Sequence, residues 1–285
     1  MKNTVRSFDP RQEMRNNTFE VFHYKGLLPF DIEVHHHDFY EVYLFLNGSA
    51  EYWIEGKRIT MNPGDFILLN PSELHRSIIL PNATDYERIV LWINKDWLST
   101  LSSDNCNLAR CFDPNNPNHK NRLRPANIHI CPSSDKLHRL VEEYCSDLWG
   151  KDEYLKAIFV QFMIELNRLS DEVVGKSKKD EDSGFIQQVL VYINENYNKN
   201  LSLDEISSRF FVSKYHLSHV FRREVGVSVY RYITIKRLIA SKKMLEENIS
   251  ASETAWACGF SDYASFYRAF KGEYGISPKE FVSGK

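Results

Sequence analysis

The run "VHHHDFYEVYLFLNG", Val34 to Gly48, sets two histidines and a glutamate in the spacing H-x-H-x3-E: His35, His37 and Glu41. Imidazoles and a carboxylate gathered at one point can ligate a divalent transition metal. The same groups can supply the donors and acceptors that a hydroxyl-rich organic ligand needs. They can also satisfy one another and the backbone as a polar core. Side chains alternate along a strand, so His35, His37, Glu41, Tyr43 and Phe45 share one face, while His36 has the opposite parity and is expected to point outward. Tyr40, Tyr43, Tyr52 and Trp53 add aromatic surfaces on which a sugar could stack.

Short strands must position these groups. "YEVYLFL", "AEYWIEG", "RITM", "DFILLN" and "ERIVLWI" are rich in β-branched and aromatic residues, and Asn47-Gly48, Gly56-Lys57 and Asn62-Pro63-Gly64-Asp65 separate them as turns. Such spacing up to about residue 95 predicts an antiparallel barrel or sandwich. Residues 102–132, rich in Asn and Pro, read as loop. Two helices follow, one with the apolar stripe Leu137, Leu140, Val141, Tyr144 and Leu148, the other over Asp152 to Leu169. The second carries Val160 and Ile164 outside its main stripe, which suits either burial on two sides, barrel and partner subunit, or burial within its own domain. "SDEVVGKSKKDEDSG" then reads as a polar linker. The expected organisation is a strand-rich domain with two closing helices over 1–170, a linker over 171–184 and a second domain over 185–285.

The last hundred residues repeat themselves. "SLDEISSRFFVSKYHLSHVFRREVGVS" aligns with "SASETAWACGFSDYASFYRAFKGEYGIS" about 49 residues later. Each copy opens on S-x-x-E, Ser202 with Glu205 and Ser250 with Glu253, a capping box at a helix start. A break follows at Phe211-Val212 or Gly259-Phe260, then a serine able to cap (Ser213 or Ser261), then a second helix ending at Gly226 or Gly275. Helix, tight turn, helix is the helix-turn-helix plan, here present twice. "SVYRYITIKRLIASKKML" joins the copies as one helix and, if rigid, holds two recognition helices about one DNA turn, roughly 34 Å, apart.

The stretch "ETAWACGFSDYASFYRAFKGEYGISPKEF", Glu253 to Phe281, resembles the signature of AraC/XylS-type transcriptional regulators. Ala251 and Thr254 depart from it, standing where larger aliphatics are usual, which predicts looser packing under Trp256. On this plan Tyr215, Ser218 and His219, and in the second copy Tyr263, Ala264, Ser265, Tyr267 and Arg268, face base edges. Arg268 is the best placed for bidentate contact to guanine. Lys214, Arg222, Arg231, Lys236, Arg237 and Lys271 are expected against phosphates. Leu217, Val220, Phe221, Phe266 and Phe270 fall on the opposite, core-facing stripe.

The opening histidine spacing is similar to the first motif of cupin barrels, and "GDFILLNPSELH" partly matches the second through Gly64 and His75, with Asn70 and Ser72 departing from it. In metal-bearing cupins the resemblance implies that His35, His37, Glu41 and His75 converge on a metal. As a sensor pocket, His35, His37, Glu41, Tyr43 and His75 would line an organic-ligand site instead. The fold class expected is α+β in two domains: a cupin-like antiparallel β-barrel with dimerisation helices, then an all-α double helix-turn-helix.

Bulk composition agrees with this reading. The chain has 285 residues and a net charge of −2. From Ile186 onward it holds 14 Lys+Arg against 10 Asp+Glu, a balance of +4, and the preceding residues hold 22 against 28, a balance of −6. That asymmetry suits a polyanion partner. Five cysteines without a C-x-x-C pair suit a reducing cytoplasm; neither a secretory signal nor a membrane span is expected. The expected function is a DNA-binding regulator, activating by the resemblance. Its expected partners are a double-stranded operator, a small-molecule effector that suits a sugar, a second copy of the chain and RNA polymerase. No cofactor is required, although the barrel could take a divalent metal. The alternative is a cupin metalloenzyme or metal sensor with an accessory helical domain.

Overall fold

The computed structural model describes residues 5–6, 13–26, 32–80, 85–127, 131–172 and 184–283. Its internal contacts divide the chain into two units, Met1–Asp180 and Glu181–Lys285. Most of the expected linker, 173–183, lies outside the described residues, while Asp171 and Glu172 close a helix.

The first unit is built on two sheets. One contains β1 (Val5–Arg6), β2 (Phe19–Lys25), β3 (Tyr40–Asn47), β6 (Phe66–Leu69), β8 (Glu87–Ile93) and β9 (Arg122–Leu123), in the order β1-β2-β8-β3-β6-β9. The other runs β5 (Lys57–Thr60), β4 (Ala50–Ile54), β7 (His75–Ile79). Pairing is antiparallel except for the two-residue β1, which lies parallel to β2. Alternation along β3 assigns its two faces. Tyr43 and Phe45 join Tyr52 and Ile54 of β4, Phe22 and Tyr24 of β2 and Trp92 of β8 in a core enclosed by the two sheets. Val42 and Leu44 point the other way, into a core shared with α1 (Lys95–Leu101), α2 (Pro132–Tyr144) and α3 (Lys151–Glu172). There Phe159 stacks on Phe19 with ring centres 5.0 Å apart and meets Trp97 at 4.7 Å. The larger sheet is therefore buried on both faces, which explains why "YEVYLFL" reads as continuous hydrophobicity rather than alternation.

Several expectations change. β2, β7 and α1 are additional elements, and the expected loop holds a 3-10 turn at Arg110–Phe112 and β9. Leu148 is 70% exposed and lies past the end of α2, because the helix stops at Tyr144. Val160 and Ile164 of α3 are only half-buried.

The second unit is all helix: α4 (Phe185–Asn196), α5 (Leu203–Arg209), α6 (Lys214–Val225), α7 (Val229–Glu246), α8 (Ala251–Ala257), α9 (Tyr263–Tyr274) and α10 (Pro278–Ser283). Ser202, Ser213, Ser228 and Ser250 each accept the backbone N–H three residues on, satisfying donors that a helix start leaves orphaned. The glutamate half of the first capping box is diverted, since Glu205 accepts from the Tyr192 hydroxyl at 3.0 Å. Glu253 accepts from the Ser250 hydroxyl at 2.6 Å. α6 and α9 both end on left-handed glycines, Gly226 and Gly275. α7 packs against α6, α8, α9 and α10 and carries a buried face from Tyr232 to Leu245.

Candidate nucleic-acid interface and histidine chamber

The sequence of α6 sorts its faces by helical period. Leu217, Phe221 and Val225 are buried, and Phe221 meets Tyr232 of α7 edge-on at 5.7 Å. Tyr215, Ser218 and His219 are exposed; Tyr215 is 80% exposed and its ring lies parallel to that of His219, 6.0 Å away. α9 repeats the division, with Phe266 and Phe270 buried and Tyr263, Ala264, Tyr267 and Arg268 exposed. Ser265 departs from expectation. Its backbone N–H donates to Asp262 Oδ1 at 2.7 Å and its hydroxyl to Asp262 Oδ2 at 2.8 Å, so this serine belongs to the cap of α9. The capping residue is accordingly Asp262, not Ser261, which donates its own hydroxyl to Asp262. Asp262 is held below the ordinary carboxyl range by these hydrogen bonds, chiefly from the Ser265 backbone. Arg268 donates back to the Ser265 hydroxyl at 3.3 Å, which restrains its guanidinium beside the helix start.

The cations divide too. Arg222 and Lys271 are exposed, and Lys236 is half-buried. Lys214 pairs with Asp204, and Arg231 with Glu273 at 2.7 Å, both as exposed ion pairs that contribute little to stability. Arg237 is a correction: its Nε donates to the Tyr197 carbonyl at 2.7 Å and an Nη to that of Lys199 at 2.8 Å. It therefore ties down the chain leaving α4 and is not laid out for phosphate. Trp256 is 62% exposed, and Thr254 is fully buried with its hydroxyl unpartnered.

In the first unit the strands bring His37, Glu41 and His75 together, with ligand atoms all within 4.8 Å of one another. His37 and Glu41 come from the entry to β3, and His75 from the start of β7. Each histidine spends its Nδ1–H on a nearby carbonyl: His35 on Glu33, His37 on Phe39 and His75 on Glu73, at 2.8–2.9 Å. Glu41 accepts from Trp92 Nε1 at 2.8 Å and from the Tyr52 hydroxyl at 3.2 Å. Burial pulls the Glu41 carboxyl upward, but contacts from His37, His35 and Trp92 outweigh it and hold it low. Burial drives His75 well below the usual imidazole range, and His35 down to about 4. His35 stands outside the trio; its backbone exchanges two hydrogen bonds with His75, and its ring packs edge-on at 4.3 Å.

Tyr43 and Tyr52 lie in the core between the two sheets, and Tyr43 shares a hydroxyl contact with Tyr86. Two aromatic expectations fail: Tyr40 stacks on Phe112 on the helix side, and Trp53 lies on the opposite parity of β4 from Tyr52. His36 is half-buried rather than outward-facing. Arg88 is a residue that sequence reasoning missed, buried with its guanidinium over the rings of Tyr24 (4.8 Å) and Tyr86 (4.5 Å). Its signal was the alternation Arg88, Val90, Trp92 along β8, which puts all three on the chamber side.

Comparison with known proteins agrees with both halves. Residues 29–173 match the AraC-like ligand binding domain and residues 206–283 the helix-turn-helix domain. The YbfI HTH-type transcriptional regulator of Bacillus subtilis is 25% identical over 85% of this chain and 84% of its own. The HTH-type transcriptional activator RhaS of Yersinia pestis is 24% identical over 87% and 88%. Among solved structures, ToxT from Vibrio cholerae aligns over 94% of this chain and 97% of its own at 16% identity and a TM-score of 0.40. These relatives are transcriptional regulators, not enzymes. With a ligand-binding barrel matched over half its length and a helix-turn-helix domain after it, the chain belongs to the AraC family of transcriptional regulators.

Proposed function

We propose that this regulator works as a homodimer that activates transcription when a small polar molecule, of which a sugar is the best fit, enters the chamber between the two sheets. The observation that carries the sensor half is the chemistry of that chamber. Aromatic walls at Tyr43, Tyr52 and Trp92 surround a few convergent polar groups, the composition of a small-molecule site. On the DNA side, α6 and α9 present Tyr215, Ser218, His219, Tyr263, Ala264, Tyr267 and Arg268 to solvent from buried, capped scaffolds. α7, 18 residues and so about 27 Å long, sets their separation. Arg222, Lys236 and Lys271 meet phosphates beside them. The name of the RhaS relatives as activators supports the sign of regulation. Ligand acts by binding one arrangement of the domains better than another, since equal affinity would shift nothing.

The test is operator binding by the full chain with and without a panel of sugars, alongside its mass in solution. The reading expects a dimer whose operator affinity or transcription output changes at least several-fold with one sugar class. A monomer in the presence of operator, or output indifferent to every sugar while another ligand class alters it, overturns the dimer or the sugar assignment respectively.

A further inference from the structure

Two imidazole nitrogens and a carboxylate converge in the barrel. Because the Nδ1–H of His37 and of His75 is given to backbone carbonyls, the ring nitrogen facing inward in each is Nε2, an acceptor in the neutral imidazole. Both Nε2 atoms are buried without a hydrogen-bond partner, and the residues are 5% and 0% exposed. The third member is the Glu41 carboxylate, whose Oε2 lies 3.4 Å from His37 Nε2. Leaving buried acceptors unsatisfied costs about 1–3 kcal/mol each. Pinning the imidazole tautomer through Nδ1–H to a carbonyl is the arrangement that orients a histidine toward a metal.

From this geometry we propose that the barrel binds one divalent first-row transition ion through His37 Nε2, Glu41 and His75 Nε2, leaving coordination positions open for an oxygen-donor chelating effector. Two ligands each about 2.1 Å from an ion at the tetrahedral angle lie about 3.4 Å apart, the separation that His37 and Glu41 already have. Two nitrogens and a carboxylate suit a borderline ion such as zinc, iron(II) or cobalt(II) rather than calcium or magnesium, which take oxygen shells. His35 is not a ligand. Its ring nitrogens fall outside the set whose ligand atoms all lie within 4.8 Å of one another, and it acts as a positioning residue by pairing its backbone with that of His75. The site thus has three protein ligands where the sequence spacing suggested four. Tyr52 and Trp92 donate to the Glu41 carboxylate and so fix its orientation. Metal uptake stands on its own geometry, whereas the chelating effector rests on the sensor role given under Proposed function.

The experiment is titration of the full chain, stripped with chelator and dialysed, with cobalt(II) alone, read by visible absorption and calorimetry. One equivalent with d–d bands is expected. His37→Ala, His75→Ala and the near-isosteric Glu41→Gln should each weaken binding by more than about hundredfold, while His35→Ala keeps one equivalent with a loss below about hundredfold, the upper end of an outer-shell change. Near-UV circular dichroism of each metal-free variant reports folding, and Glu41→Gln carries the test if a histidine variant collapses. Oxalate added to the cobalt form should shift the d–d bands. No stoichiometric binding overturns the metal site and leaves His37 and Glu41 as a buried pair, with operator binding and a sugar response unaffected. Loss in His35→Ala equal to that in His37→Ala overturns the three-ligand set. Bands indifferent to oxalate overturn the open positions.

Discussion

Replacing Gly259 by alanine should cripple the second helix-turn-helix while the matching change in the first leaves it intact. Gly259 sits in the turn between α8 and α9 at φ +84°, where an L-residue costs about 1–2 kcal/mol. A Cβ there would also lie 2.6 Å from the Asn198 carbonyl oxygen and 2.7 Å from its carbon. That backbone cannot retreat easily, because Arg237 grips the carbonyls on either side of it, Tyr197 and Lys199. Forcing such a contact costs about a further 1–3 kcal/mol. A total of about 2–5 kcal/mol would raise the opening of α8 and α9 about thirty- to several-thousandfold, at tenfold per 1.4 kcal/mol. Hydrogen exchange across 251–275 reads this directly, and operator affinity should fall with it because Asp262 and Arg268 follow the turn. Phe211 occupies the same place in the first copy at φ +55° with its side chain in solvent. Phe211→Ala should therefore change protection of α5 and α6 by less than about threefold, as expected of a surface change. Unaltered exchange in Gly259→Ala would refute the reasoning, since it would mean that the contact with Asn198 is not tight.

Thr254→Val should stabilise the second unit by about 1 kcal/mol, because it removes a buried hydroxyl that has no partner at almost no change in volume; a lowered urea midpoint would show that the hydroxyl is satisfied. Arg268→Ala should cost about 1–3 kcal/mol on the preferred operator and much less on scrambled DNA, and equal losses on both in a binding assay would demote it to a phosphate contact. Arg222→Ala should lower the slope of log affinity against log salt by about one without changing sequence preference, whereas Arg237→Met should leave that slope alone and destabilise the helices instead. Asp262, held low by its hydrogen bonds, contributes cap stability that is present at neutral pH and lost as pH falls through its depressed value; Asp262→Asn should flatten that acid-side loss in thermal melts.

What the residues foretold and what they did not follows from how far each signal reaches. The double helix-turn-helix was legible because its caps, turn glycine and apolar period all lie within a dozen residues of one another, and local rules govern them. Ser261 and Asp262 are adjacent and equally able to cap, so only the backbone conformation of Asp262 decides between them. Arg237 reads as a surface cation on α7, and its carbonyl partners are nearly 40 residues away. β7 begins on His75 and ends on only two aliphatic residues, and α1 has only seven residues under its Asn94 cap, too little pattern for either period to register. The chamber was half-legible. Parity along β3 assigned Glu41 and Tyr43 to it, but the exclusion of His35 depends on the bridge to His75, a contact between distant segments.

β3 and β8 separate two obligations by parity alone. Tyr43, Phe45, Val90 and Trp92 decide what fits between the sheets, while Val42, Leu44, Ile89 and Leu91 grip the helical layer. Successive residues of one strand can therefore diverge independently: inward positions can drift toward a new effector without disturbing the seat of α2 and α3. A designer wishing to retune the sensor would randomise every second residue and leave the others untouched.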